Sequence, residues 1–214
     1  MVLNWIGKKF PGMLARLQNG RPTSPLKIDS AKFFVWALLS VPFVLICQRF
    51  ADDTITYGQV LHQTGLWSAG LLLAALAMTP MRQVVGSRPW FSRILRYRRT
   101  FGVASFAYAA LHTAVYLERK WGADLILKEG LEPPLATGWI AFAIFVALAI
   151  TSNDAAVRAM GRAWKKLHRW VYAATALVLA HWWLAVFDRT MAYVFLTALV
   201  VLQLPRVMAR YRPK

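Results

Sequence analysis

Four histidines are the residues of this 214-residue chain whose type and placement could do chemistry. Two of them mark out the stretch 164–187, WKKLHRWVYAATALVLAHWWLAVF. His168 stands beside its basic collar, and His181 lies thirteen residues further on, about 20 Å along a helix. His112 sits deep in a second apolar run, and His62 opens a third, in HQTG. An ionisable side chain inside an apolar run of spanning length costs free energy, so its presence points to function. Neutral imidazoles offered by facing apolar helices suit axial ligation of a haem iron. The plainer role for each histidine alone is a hydrogen bond between packed helices. Two histidines level with one another favour the ligand role.

The composition says where such helices belong. Hydrophobic residues make up 58% of the chain and the mean hydropathy is +0.42, above the norm for a soluble domain. A formal charge of +17 would suit nucleic acid, but the basic residues fall between the apolar runs, as membrane collars do. The single cysteine, Cys47, gives neither a disulfide pair nor a thiolate metal set. There is no phosphate-binding glycine loop, no dinucleotide fingerprint and no C-x-x-C-H haem attachment. Ten tryptophans and seven tyrosines are present, many at the ends of apolar runs, where an aromatic belt places them.

Residues 1–31 form a basic arm, with Trp5, Ile6, Phe10, Met13, Leu14 and Leu17 as a short interfacial face that Pro11 interrupts. The apolar run that follows begins too late for a signal peptide, so the arm is expected to be cytoplasmic. Six spans are predicted, at 32–50, 61–80, 100–118, 135–151, 168–187 and 190–207, with a basic tail over 208–214. Pro42 and the Thr79–Pro80 pair fall inside spans and are tolerable in membrane helices. The fold class is therefore an all-α integral membrane protein, a six-helix haem-binding bundle over 32–207. No internal repeat is evident.

An even number of spans puts both termini on one side. With that side cytoplasmic, 21 of the 26 basic residues lie inside, and seven of the nine acidic residues lie outside. This is a strong positive-inside asymmetry, and it orients the chain with both termini in the cytoplasm. His112 is then eleven residues up an outward-running span, about 16 Å from the inner edge. His181 shares that depth, thirteen residues above His168, so the pair could hold a haem in the outer half of the membrane. His168 at the inner edge has no level histidine, because Arg98, Arg99 and Thr100 occupy the mirrored position. It could ligate a second group there, or contact a flavin or quinone whose anionic groups Arg98 and Arg99 would clamp. The plainer role for those arginines is topology collar. On a straight helix His168 and His181 are turned about 220° apart, so they share a face only if the helix bends. His62, at the outer surface, could serve a ligand, a propionate, a quinol or a partner.

With these residues in hand, the chain resembles the ferric-reductase-like transmembrane family over residues 32–207. The matching stretches are TG at 64–65, LAMTPMR at 76–82, RRTFGVASFAYAALHTAVY at 98–116, AITS at 149–152, GRAWKKLHRWVY at 161–172 and AHWW at 180–183. The closest likeness is to its bacterial branch, haem-bearing membrane subunits of a periplasmic methionine-sulfoxide reductase system. That resemblance implies a six-helix bundle with one or two b-type haems and, in some members, FMN. It implies that His112, His168 and His181 are the haem-linked, metal-ligating positions. It also implies electrons from a cytoplasmic flavin reductase or the quinol pool, delivered to a periplasmic molybdopterin reductase. An arm of about 30 residues and an acidic loop at 118–134 with a Pro-Pro pair are individual to this chain.

The reading is a transmembrane electron-transfer subunit of an oxidoreductase system. One alternative is a ferric- or quinone-reductase-like cytochrome b with another acceptor. A second, from a different class, is a haem-free transporter or assembly factor whose histidines bind a substrate or ion. The topology underlies every depth estimate. Alkaline phosphatase fused after residue 125 should be active, and fused after residue 214 inactive; the reverse pattern overturns the depth match.

Overall fold

The computed structural model describes residues 30–119, 130–185 and 189–211, with side chains up to residue 205. Every regular element among them is an α-helix: α1 (Ser30–Ala51), α2 (Tyr57–Val85), α3 (Pro89–Leu95), α4 (Arg98–Arg119), α5 (Pro133–Ile150), α6 (Asp154–Met160), α7 (Arg162–His168), α8 (Val171–Ala185) and α9 (Thr190–Tyr211). The chain divides into two compact units at Leu38 and Leu39. Of the first unit, residues 30–38 are described, and they are the opening turns of α1. Everything that follows belongs to the second unit. The expected arm, most of the 118–134 loop and the turn ahead of Arg189 lie outside the described residues.

Helices stand at all six expected spans. Four described stretches are long and apolar enough to cross a membrane: Ser30–Ala51, Tyr57–Val85, Pro89–Arg119 and Pro133–Ile150. Helix α8, with 15 residues, rises only about 22 Å. The apolar part of α9, Thr190–Pro205, is also short. The second helix starts four residues earlier than expected because Thr56 and Gln59 form a capping box. The Gln59 N–H donates to Thr56 Oγ1 at 3.4 Å, and the Thr56 N–H donates to Gln59 Oε1 at 2.8 Å. The fifth expected span starts later, because the chain turns at Arg169 and Trp170 between α7 and α8. His168 and His181 are thus on separate helices rather than on one straight rod.

Helices α2 and α4 pack most extensively, as do α5 and α8, and α9 lies against α2. Small residues let the first pair approach. Ser68 Oγ donates to the Ser105 carbonyl at 2.9 Å, and Ser105 Oγ returns the bond to the Ser68 carbonyl at 2.8 Å. Both serines are buried, so the exchange satisfies each hydroxyl where water and lipid cannot. The apolar interior lies beside them, where Leu72 and Leu76 of α2 meet Phe145 of α5 and Ala174 of α8. At one end, Tyr57 Oη donates to the Val115 carbonyl at 2.6 Å and ties the start of α2 to α4.

Pro42 lies inside α1, and α4 supports the helix beside it. In an unbroken helix the Phe43 N–H would donate to the Leu39 carbonyl. Here the Tyr108 hydroxyl stands between them, accepting from Phe43 N–H at 3.0 Å and donating to the Leu39 carbonyl at 2.8 Å. A proline in a spanning helix is tolerated when a neighbour satisfies the displaced backbone groups. Tyr108→Phe should leave both groups without a partner and destabilise the fold by about 1–3 kcal/mol. Thermal unfolding of the detergent-purified protein measures this, and an unchanged midpoint would deny the supporting role.

Candidate functional site

Where α4 and α8 face one another, the rings of His112 and His181 have centroids 6.2 Å apart and planes at 90°. Both are half-buried. His112 Nδ1 lies 2.9 Å from the Leu61 carbonyl of α2, with Thr64 Oγ1 at 3.4 Å. His181 Nδ1 lies 2.7 Å from the carbonyl of Pro134. Pro133 and Pro134 open α5, a place where their missing N–H groups cost no helical bond. A carbonyl oxygen can only accept, so each Nδ1 carries the proton and donates it. The lone pair of each neutral imidazole is therefore on Nε2. This is how ligating histidines are commonly held: one nitrogen fixed by a hydrogen bond, the other available to a metal.

The spacing fits one shared metal. Two imidazole nitrogens each about 2 Å from a transition metal would put their ring centroids about 6 Å apart. Among the described residues, no three of His, Cys, Asp and Glu gather as they would around a bare ion. Two imidazoles alone would suit a metal whose remaining positions a macrocycle fills, as in haem. A cavity of about 400 Å³ adjoins the pair, lined mainly by apolar groups that include Leu66, Phe142 and Val178. His62, which is exposed, and Tyr116 line the same cavity.

The other expected residues meet elsewhere. A second cavity of about 470 Å³ is lined by Arg96, Arg98, Arg99, Lys165, His168 and Arg169. His168 Nε2 is 3.0 Å from Thr151 Oγ1, and that hydroxyl already donates to the Ala147 carbonyl at 2.7 Å. The hydroxyl oxygen is left to accept, so His168 carries its proton on Nε2, the opposite tautomer to His112 and His181. Trp164 stacks on the His168 ring at 3.9 Å and donates its Nε1–H to the Thr151 carbonyl at 2.8 Å. Arg98 Nε donates to the Ala75 carbonyl at 3.2 Å. Arg99 pairs with Asp154 at 2.6 Å, both partners well exposed. Phe145 lines both cavities and so stands between them.

Sequence reasoning missed several of these residues. Leu61 and Pro134 act through main-chain carbonyls, which leave no mark in a residue type. Gly138 lies against the His181 ring even more closely than Gly65 lies against that of His112. Thr151 and Trp164 frame His168; both fall in stretches that carried the family resemblance, AITS and GRAWKKLHRWVY, but neither was given a role.

The chain matches the family described as ferric reductase like transmembrane component over residues 64–179. It is similar to three proteins named protein-methionine-sulfoxide reductase heme-binding subunit MsrQ. The one from Xanthomonas axonopodis pv. citri is 36% identical, over 75% of this chain and 78% of the relative. Those from Ralstonia nicotianae and Brucella anthropi are 34% and 32% identical, each aligned over 75% of its own length and over 74% and 77% of this chain, respectively. No solved structure matches the chain. With the family match covering more than half of its length, this chain belongs to the ferric-reductase-like transmembrane family.

Proposed function

We propose that the chain is a haem-b membrane electron-transfer subunit whose haem would be held by the imidazoles of His112 and His181. One observation carries the reading: two neutral imidazoles 6.2 Å apart, each with Nδ1 bound to a main-chain carbonyl. When bound there, haem supplies one-electron iron chemistry. The residues of the chain do the rest. Leu61 and Pro134 hold the rings with Nε2 presented, while Phe142, Phe145 and Trp182 line the cavity with apolar surface that keeps water low.

In this reading six helices cross a bacterial inner membrane with both termini in the cytoplasm, as the distribution of basic residues supports. The basic cavity then faces the cytoplasm. Arg98 and Arg99 offer guanidinium forks to an anionic electron carrier, FMN or a quinone, and His168 contacts that carrier or ligates a second haem. Since Thr151 engages Nε2, His168 would ligate through Nδ1 or after leaving Thr151. His62 lies at the opposite rim, on the acceptor side. The names of the relatives support a methionine-sulfoxide reductase system. The donor would be a cytoplasmic flavin reductase or membrane quinol, and the acceptor a periplasmic molybdopterin subunit. A ferric- or quinone-reductase-like role with another acceptor would use the same helices.

Substitution separates the four histidines. His112→Ala and His181→Ala should each abolish or severely alter one low-spin haem in the reduced-minus-oxidised spectrum, near ~560 nm for b-type haem. The double variant should match the worse single variant, as for two ligands of one iron. His168→Ala should spare that haem and impair the basic side, and His62→Ala should be mildest. A His112→Ala protein that keeps the full spectrum while His62→Ala or His168→Ala loses it would overturn the pairing. A colourless, well-folded wild-type preparation would favour a transporter or assembly factor.

A further inference from the structure

We propose that Thr64–Gly65 and Thr137–Gly138 form a duplicated ligand cradle, one on α2 and one on α5, whose residues position His112 and His181 and tune their basicity. The proposal rests on the haem reading above. Its first support is a shared register. On α2 the carbonyl of Leu61 accepts the imidazole proton, with threonine three residues later and glycine four. On α5 the carbonyl of Pro134 is followed by Thr137 and Gly138 at the same offsets. The two cradles are 73 residues apart in sequence and sit on the most extensively packed helix pairs, α2 with α4 and α5 with α8. Each pair thus supplies one cradle and one imidazole.

The glycines are used for close approach, not for turning the chain. A Cβ on Gly65 would stand 3.1 Å from His112 Nδ1 and 3.2 Å from Cε1. On Gly138 it would stand 2.9 Å from His181 Nδ1, 3.1 Å from Cε1 and 3.4 Å from Cγ. A methyl at Gly138 must therefore displace a ring whose Nδ1–H bond is only 2.7 Å long. Gly70, one and a half turns along α2 from Gly65, has open space where its Cβ would be, so glycine on this helix does not in itself mean a crowded site.

The threonines act on the same carbonyls. The Thr64 hydroxyl shares its one proton between Leu61 O and Val60 O, each at 2.9 Å. The Thr137 hydroxyl shares its one proton between Pro134 O at 2.8 Å and Pro133 O at 3.0 Å. A carbonyl that already accepts a hydroxyl pulls less strongly on the Nδ1 proton. The imidazole then has less imidazolate character and is a weaker donor to iron, which disfavours the ferric state. Removing the hydroxyl reverses each step, so the potential of the iron should fall.

The test uses the full chain purified with haem, comparing Gly138→Ala, Gly65→Ala and Thr137→Val with Gly70→Ala as the open-space control. Haem content, the low-spin ferric EPR signal and the midpoint potential are read for each. Gly138→Ala should lose or shift the low-spin signal, Gly65→Ala should do so less, and Gly70→Ala should match the wild type. If Gly138→Ala does not accumulate, Thr137→Val, which keeps the side-chain volume, decides: a lower potential supports the cradle and an unchanged one overturns it. Glycine variants that match Gly70→Ala, in a protein whose haem is lost on His112→Ala or His181→Ala, overturn the cradle and leave the ligand pair standing. Haem that survives both histidine substitutions overturns the ligand pair and the cradle together.

Discussion

An imidazole is only as well placed as the bonds its ring nitrogens make, and in both His112 and His181 one nitrogen is bound to a main-chain carbonyl. The bonds from His112 to Leu61 and from His181 to Pro134 choose the tautomer, turn the ring and leave Nε2 with the lone pair. The rest of the bundle bears on whether those bonds can form. Helix α2 must lie close enough to α4, and α5 close enough to α8, for a ring on one helix to reach a carbonyl on the next. Glycine beneath each ring and the reciprocal Ser68–Ser105 bonds meet that requirement.

In an apolar surrounding, every polar group used for a site must also be satisfied as structure. The chain meets this by giving single groups two tasks. Leu61 O accepts from both Thr64 and His112, and the Tyr108 hydroxyl both accepts and donates beside Pro42 in α1. At the basic end, Thr151 donates to its own helix while its oxygen faces His168. The two ends of the bundle thus hold imidazole in opposite tautomers, by carbonyls at one end and by a hydroxyl at the other. Nε2 keeps its lone pair in His112 and His181 and carries the proton in His168.

Much of this was legible in the sequence for simple reasons. Apolar runs bounded by basic collars mark helices whatever they pack against, and six helices stand where the runs are. Counting residues from the collars puts His112 and His181 level, and the helices set their rings 6.2 Å apart. The bend after His168 was posed as a condition for that histidine and His181 to share a face, and Arg169 and Trp170 supply a turn there. Other features depend on information the residue types do not carry. Leu61 and Pro134 act through carbonyls, so nothing in leucine or proline announces them. The early start of α2 was written in the T-x-x-Q of residues 56–59, a local signal weaker than the hydropathy that set the expected boundary. The Thr–Gly offset is too short to stand out as a repeat until the imidazoles reveal what it holds.

The most direct measurement is low-temperature EPR of the oxidised, haem-loaded protein, with nitrogen hyperfine spectroscopy on a sample labelled with [15N]histidine. The account predicts a low-spin ferric iron coupled to two histidine nitrogens. With the ring planes at 90°, the signal should be of the strongly anisotropic type that perpendicular imidazoles produce. A high-spin ferric signal, or coupling to one histidine only, would contradict ligation by His112 and His181 together.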